Sequence, residues 1–155
     1  MSKLKKKRPR SLSQSGNQNI KFGISKISLL EYTLDEPIDK LVIGKDLTYS
    51  FDFKFNILTS ESTINIEMTY KFFHRDILVH SIKILTIFMV ESLSDLITRI
   101  SKDSLEKLNT RMAQITIGAA RGIQSTIIKD TKLEPFLIPL IHETQLVTEV
   151  SIDKS

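Results

Sequence analysis

Three stretches of the chain alternate apolar and polar residues with period two, the signature of strands that bury one face. In the first, Tyr49, Phe51, Phe53, Phe55 and Ile57 point one way, and Ser50, Asp52, Lys54 and Asn56 the other. In the second, Ile64, Ile66, Met68, Tyr70 and Phe72 oppose Thr63, Asn65, Glu67, Thr69 and Lys71. The third runs from about Ile77 to Val90, with Leu78, His80, Ile82, Ile84, Phe88 and Val90 on one side. Polar breaks at Thr59-Ser60-Glu61-Ser62 and His74-Arg75-Asp76 are too short for parallel crossovers, so the strands form an antiparallel meander. A fourth strand precedes them over Phe22 to Leu34 and stops at Pro37. Its apolar phase slips between Ile24 and Leu30, which predicts a bulge or bend near Ser25–Ser28.

Helical spacing follows the sheet. A short helix is expected over Leu93–Ile100. A longer one starts at Asp103, where Asp103-Ser104-Leu105-Glu106 has capping-box spacing. Leu105, Leu108, Met112, Ile115, Ala119, Ile123 and Ile127 recur every three or four residues and predict a buried stripe to about Lys129. Ile117, Gly118 and Gly122 widen the apolar surface, so this helix either packs on two partners or is a well-buried core helix. Glycines four apart let a second backbone approach, at about 1 kcal/mol of helix propensity each. Beyond it, Leu133-Glu134-Pro135-Phe136-Leu137-Ile138-Pro139-Leu140 is an apolar strap that its two prolines keep out of helix. It is too apolar to be a free linker, so something covers it. The expected class is α+β: a four-stranded antiparallel sheet with helices packed on one face.

Charge divides the chain unevenly. The net +4 rests on Lys3, Lys5, Lys6, Lys7, Arg8 and Arg10, and without those six the remainder carries −2. Residues 1–19 contain no acidic residue and almost nothing apolar, so they read as a disordered basic tail, leaving 20–155 as one domain. No hydrophobic segment follows the basic residues, as a secretory signal requires. A basic arm can bind nucleic acid through phosphates, but this one lacks aromatics for stacking and no recognition fold follows it. A nucleic-acid-associated interaction module acting through that arm is the rival class, and the bland alternative is a solubilising extension.

Catalytic chemistry is not visible. His74, His80 and His142 share no ligand spacing, and no zincin, nucleophile-elbow, P-loop or dinucleotide motif occurs. His80 falls on the apolar phase of a strand, where a hydrogen-bonded core histidine is expected. No cofactor, metal or enzymatic activity is expected. Cysteine is absent, which excludes disulfides without fixing a compartment. No apolar run approaches the roughly 20 residues of a membrane-spanning helix.

From about residue 22 to 150, in order, the chain resembles the SecB export chaperones. The resemblance rests on a first strand ending in Asp35-Glu36-Pro37, three antiparallel strands, a helix carrying Ala120-Arg121-Gly122, the strap, and Pro139-Leu140-Ile141 before a closing segment. It implies a cytoplasmic holdase that binds unfolded polypeptide without ATP, built as a homotetramer, a dimer of dimers. The long helix would then lie between dimers, through Ile115, Ile117, Gly118 and Gly122. Clients would lie in a groove between the helix-side sheet face, with Phe51, Phe53, Phe55, Met68, Tyr70 and Phe72, and a strap presenting Leu137, Ile138 and Leu140. Aromatics and a methionine suit weakly selective binding, although most of these residues also build the core.

The family's outer sheet face docks the translocation motor SecA. Glu31 and Asp35 match acidic positions there, whereas the fourth strand offers Ser81, flanked by Val79 and Lys83, in place of an acid. The closing helix also looks short, with Leu146, Val147 and Val150 as its apolar set. These departures leave a SecB-like chaperone dedicated to one client, such as an antitoxin, as the alternative within the class.

Overall fold

In the computed structural model, residues 19–35, 46–141 and 149–153 are described. The basic tail up to residue 18, Pro37, His142, Leu146 and Val147 lie outside them. Strands β1 (Phe22–Leu34), β2 (Leu47–Leu58), β3 (Thr63–His74) and β4 (Ile77–Val90) form an antiparallel sheet, followed by helices α1 (Leu93–Arg99) and α2 (Lys102–Ile127). The α+β class and the four antiparallel strands are those of the sequence pattern. A short fifth strand, β5 (Glu149–Asp153), joins in parallel beside β2, giving the order β1-β4-β3-β2-β5. Val150 therefore stands in a strand where a closing helix was expected.

The hairpins follow from local chemistry. Arg75 and Asp76 both take positive φ, 50° and 61°, as a two-residue hairpin twisted to match its strands requires. His74 thus ends β3 and does not sit in the turn. One 3-10 turn, Thr59–Glu61, closed by left-handed Ser62, joins β2 to β3. β1 carries the expected irregularity, its register against β4 skipping Ser25, and a second one at Leu30. The second bulge returns Leu29 and Tyr32 to the face shared with Ile84 and Ile82.

α2 begins one residue before the expected start. Ser101 is its cap, with Oγ accepting the Ser104 N–H at 3.2 Å. The helix lies against β3 and β4. Its buried face is Leu108, Asn109, Met112, Ala113, Thr116, Ile117, Ala120 and Gln124. Only Leu108 and Met112 of the expected stripe are on it; Leu105, Ile115, Ala119, Ile123 and Ile127 are half-buried. Beneath it, Phe53, Phe55, Ile57, Ile64, Ile66, Met68, Tyr70, Ile82, Ile84 and Phe88 form the core. Among the described residues, no helix is long and apolar enough to cross a membrane.

Candidate functional site

One end of the helix-side sheet face is aromatic. Along β2 the rings of Tyr49, Phe51, Phe53 and Phe55 follow one another at centroid spacings of 5.7, 6.2 and 6.4 Å. Tyr70 on β3 packs across to Phe51 at 5.1 Å and to Tyr49 at 6.4 Å. Burial grades along this ladder: Phe53 and Phe55 are sealed, Phe51 is half-buried, and Tyr49 is 53% exposed. The same period-two pattern thus produces core at one end and surface at the other.

The strap returns over that end. Phe136 packs on Phe72 with ring centroids 5.6 Å apart, and Phe72 is the cross-strand partner of Tyr49. Leu133 and Ile138 are buried, whereas Leu137 is 39% and Leu140 77% exposed. The side chain of Gln124 holds the strap: its Oε1 accepts the Ile138 N–H at 2.7 Å, and its Nε2 reaches the Phe136 carbonyl at 3.5 Å. Proline at 135 and 139 cannot donate; between them the Phe136 N–H turns back to the Leu133 carbonyl and the Ile138 N–H goes to Gln124.

Of the expected groove residues, Phe53, Phe55, Met68, Tyr70, Phe72 and Ile138 are therefore core. Phe51, Leu137 and Leu140 reach the surface. Tyr49, Phe136 and Gln124 belong to the site and were not singled out from the sequence. Tyr49 was legible as the end of the aromatic alternation; nothing marked Gln124.

His80 stands at the same end, opposite Phe72. It is buried, with Nδ1 donating to the Thr33 carbonyl at 2.7 Å and its ring 6.3 Å from that of Tyr70. Burial lowers its pKa, partly offset by the bond to Thr33. Burial also pushes the Tyr70 hydroxyl well above its usual range, so it stays protonated. Among the described residues no cluster of His, Cys, Asp or Glu could hold a metal ion.

The outer face is a charged mosaic. Glu31 on β1 stands opposite Lys83 on β4, which pairs with Glu67 on β3 at 3.2 Å. The bond to Glu67 raises the Lys83 pKa, with Glu31 and Asp52 adding to it. Ser81 shares a hydroxyl bond of 2.8 Å with Thr33, and the Asp35 N–H donates to the Val79 carbonyl. Val79 lies beside the register shift between β3 and β4 and is buried, so it cannot serve as a docking contact.

On α2, Gly118 and Gly122 are exposed, and a Cβ at either would meet nothing within 4 Å. Ile115 is half-buried, but Ile117 points into the core and is not part of that open face. On the uncovered part of the sheet, Ile24, Ile27, Leu29 and Tyr32 of β1 are exposed on the side that α2 occupies further along.

No family model and no curated protein matches the chain. Among solved structures it is similar to a SecB-like chaperone of Mycobacterium tuberculosis, in complex with a ChAD peptide from an antitoxin, at 12% identity and a TM-score of 0.44. That similarity covers 77% of this chain and 90% of the other. A Streptococcus agalactiae protein of unknown function is similar at 14% identity and a TM-score of 0.36, over 79% of this chain and 98% of that one. At this distance neither protein's partner or activity transfers to the chain.

Proposed function

We propose that this chain holds unfolded polypeptide, without nucleotide, on the apolar surface formed by Tyr49, Phe51 and the Leu137–Leu140 strap. The observation that carries this reading is the unburied end of the aromatic ladder. Large apolar side chains stand in solvent beside a strap that Gln124 anchors to α2. Each client side chain buried there contributes about 1.5–3 kcal/mol, so a few contacts along one chain suffice. The sequence resemblance to SecB supports the same activity. A single dedicated client, such as an antitoxin, and delivery to SecA through the outer face near Glu31 and Asp35 are two finer forms of it.

The reading includes self-assembly into a tetramer. Its support is the open small-residue face of α2 and the exposed apolar side of β1, which a second copy would cover. The deciding experiment is whether purified protein stops an unrelated unfolded protein aggregating in the absence of nucleotide. Apolar holding persists or strengthens as salt rises, whereas binding of phosphates by the basic arm falls steeply. Failure to suppress aggregation at any salt concentration removes the reading.

A further inference from the structure

The two edges of the sheet are built differently. β1 is interrupted twice, at Ser25 and Leu30, and bulges of this kind twist an edge away from a regular ladder and discourage strand addition. β2 instead runs in unbroken register with β3 from Leu47 to Leu58. An unbroken edge presents main-chain donors and acceptors at even spacing. The chain itself uses part of it: Lys54–Leu58 pairs with β5, Phe55 in register with Val150 and Ile57 with Ile152. Among the described residues, no strand pairs with the rest of that edge, Leu47–Phe53.

β5 is a modest occupant. It is five residues long, has one neighbour among the described residues, and pairs in parallel, which is slightly less stable per residue than antiparallel pairing. Its sequence, Glu149-Val150-Ser151-Ile152-Asp153, is a plain polar and apolar alternation. Any unfolded protein offers segments of that kind, and the main-chain bonds that hold such a strand are common to all polypeptides.

We infer that the outer edge of β2, Leu47–Leu58, is a strand-acceptor site, that β5 is its resident occupant over Lys54–Leu58, and that an extended client segment of alternating apolar and polar residues displaces it. This rests on the holding activity proposed above and specifies how part of the binding is made. Main-chain hydrogen bonds to the edge supply affinity for any sequence. The neighbouring rings of Tyr49 and Phe51 add a preference for apolar residues at alternate positions. While β5 is in place, the apparent affinity is lowered by the fraction of chains in which the edge is open.

The test uses the full chain and a synthetic peptide alternating leucine and serine, with terminal lysines for solubility, followed by fluorescence anisotropy. Two further copies are N-methylated, one on every leucine and one on every serine. Methylation removes main-chain donors and leaves the side chains in place. One methylated copy is expected to bind at least about tenfold more weakly than the parent peptide, and the other to bind like it. Alternate residues of a parallel strand face the partner, so either Val150→Pro or Ser151→Pro removes a ladder donor from β5. That variant is expected to bind the unmethylated peptide about tenfold more tightly. Amide exchange at Lys54–Leu58 should be faster in it than in the parent, and should slow again when peptide is added. If both methylated copies bind like the parent peptide, the chain holds polypeptide without strand addition, and this inference falls while the holding activity stands. If no peptide binds, both fall. Leu47–Phe53 amides as protected in the free chain as the centre of β3 would show that edge already covered and overturn the inference, as would unchanged affinity in both proline variants.

Discussion

The side-chain oxygen of Gln124 accepts the main-chain N–H of Ile138 at 2.7 Å, fourteen residues along the chain. A helix side chain thus does for the strap what a neighbouring strand would otherwise do. The bond sets which way the strap faces: Ile138 turns into the core, and Leu137 and Leu140 turn out.

Replacing Gln124 by methionine keeps its volume and removes that acceptor. The Ile138 N–H is then buried without a partner, which costs about 1–3 kcal/mol. We expect Gln124→Met to lower the urea midpoint accordingly and to speed amide exchange at Ile138. An unchanged midpoint would mean that the strap is held by apolar packing alone.

On α2 the buried and open faces make opposite predictions. Ile117 is 2% exposed, so Ile117→Lys should destabilise the fold, by about 3 kcal/mol or more, before it reports on assembly. Gly122 is exposed, and among the described residues a Cβ there meets nothing within 4 Å. Gly122→Ala should gain up to about 1 kcal/mol of helix propensity, and Gly122→Glu should leave the protomer folded. If α2 packs against a partner as proposed, Gly122→Glu lowers the oligomer order seen by light scattering at micromolar concentration. A parent protein that is monomeric there would end the assembly reading.

The strands were legible because period-two alternation is a local signal, and the bounds of β1 and β4 follow it closely. The bulge near Ser25 showed as a phase slip, but the one at Leu30 did not, because Leu29 and Leu30 are both apolar and either fits the inward phase. The α2 stripe was misplaced for a related reason. Its buried face includes Asn109, Thr116 and Gln124, polar residues that a search for apolar spacing passes over. β5 has only five residues of alternation, and Val150 beside Leu146 and Val147 fits a short helix equally well. The aromatic ladder was visible in full. Which of its rings stay exposed depends on what packs over each of them, and that is a tertiary property.

His80 makes stability depend on pH. Its folded pKa lies below the ordinary 6.5 because burial disfavours the imidazolium, so between the two values the unfolded chain binds more protons. The stabilising contribution is therefore full above about pH 6.5 and is lost as the pH falls from there toward the folded value. His80→Asn, which keeps a donor for the Thr33 carbonyl, should flatten the fall in Tm across that window relative to the parent. Parallel Tm profiles for the two proteins would show that His80 does not contribute to the loss.

Leu137 and Leu140 offer the cleanest test of client binding, because both already stand in solvent. Leu137→Asp and Leu140→Asp should leave secondary structure and oligomer size intact. A carboxylate on that surface must lose water whenever an apolar segment is seated beside it, so client affinity should fall by about tenfold or more. Ile138→Asp is the contrasting control. Its side chain is fully buried, and a charge there should cost about 3 kcal/mol or more and compromise the fold itself. The informative measurement is suppression of aggregation by Leu137→Asp and Leu140→Asp after native circular dichroism has been verified. If both variants are folded and protect an unfolded protein as well as the parent, the strap is structural and the holding surface lies elsewhere.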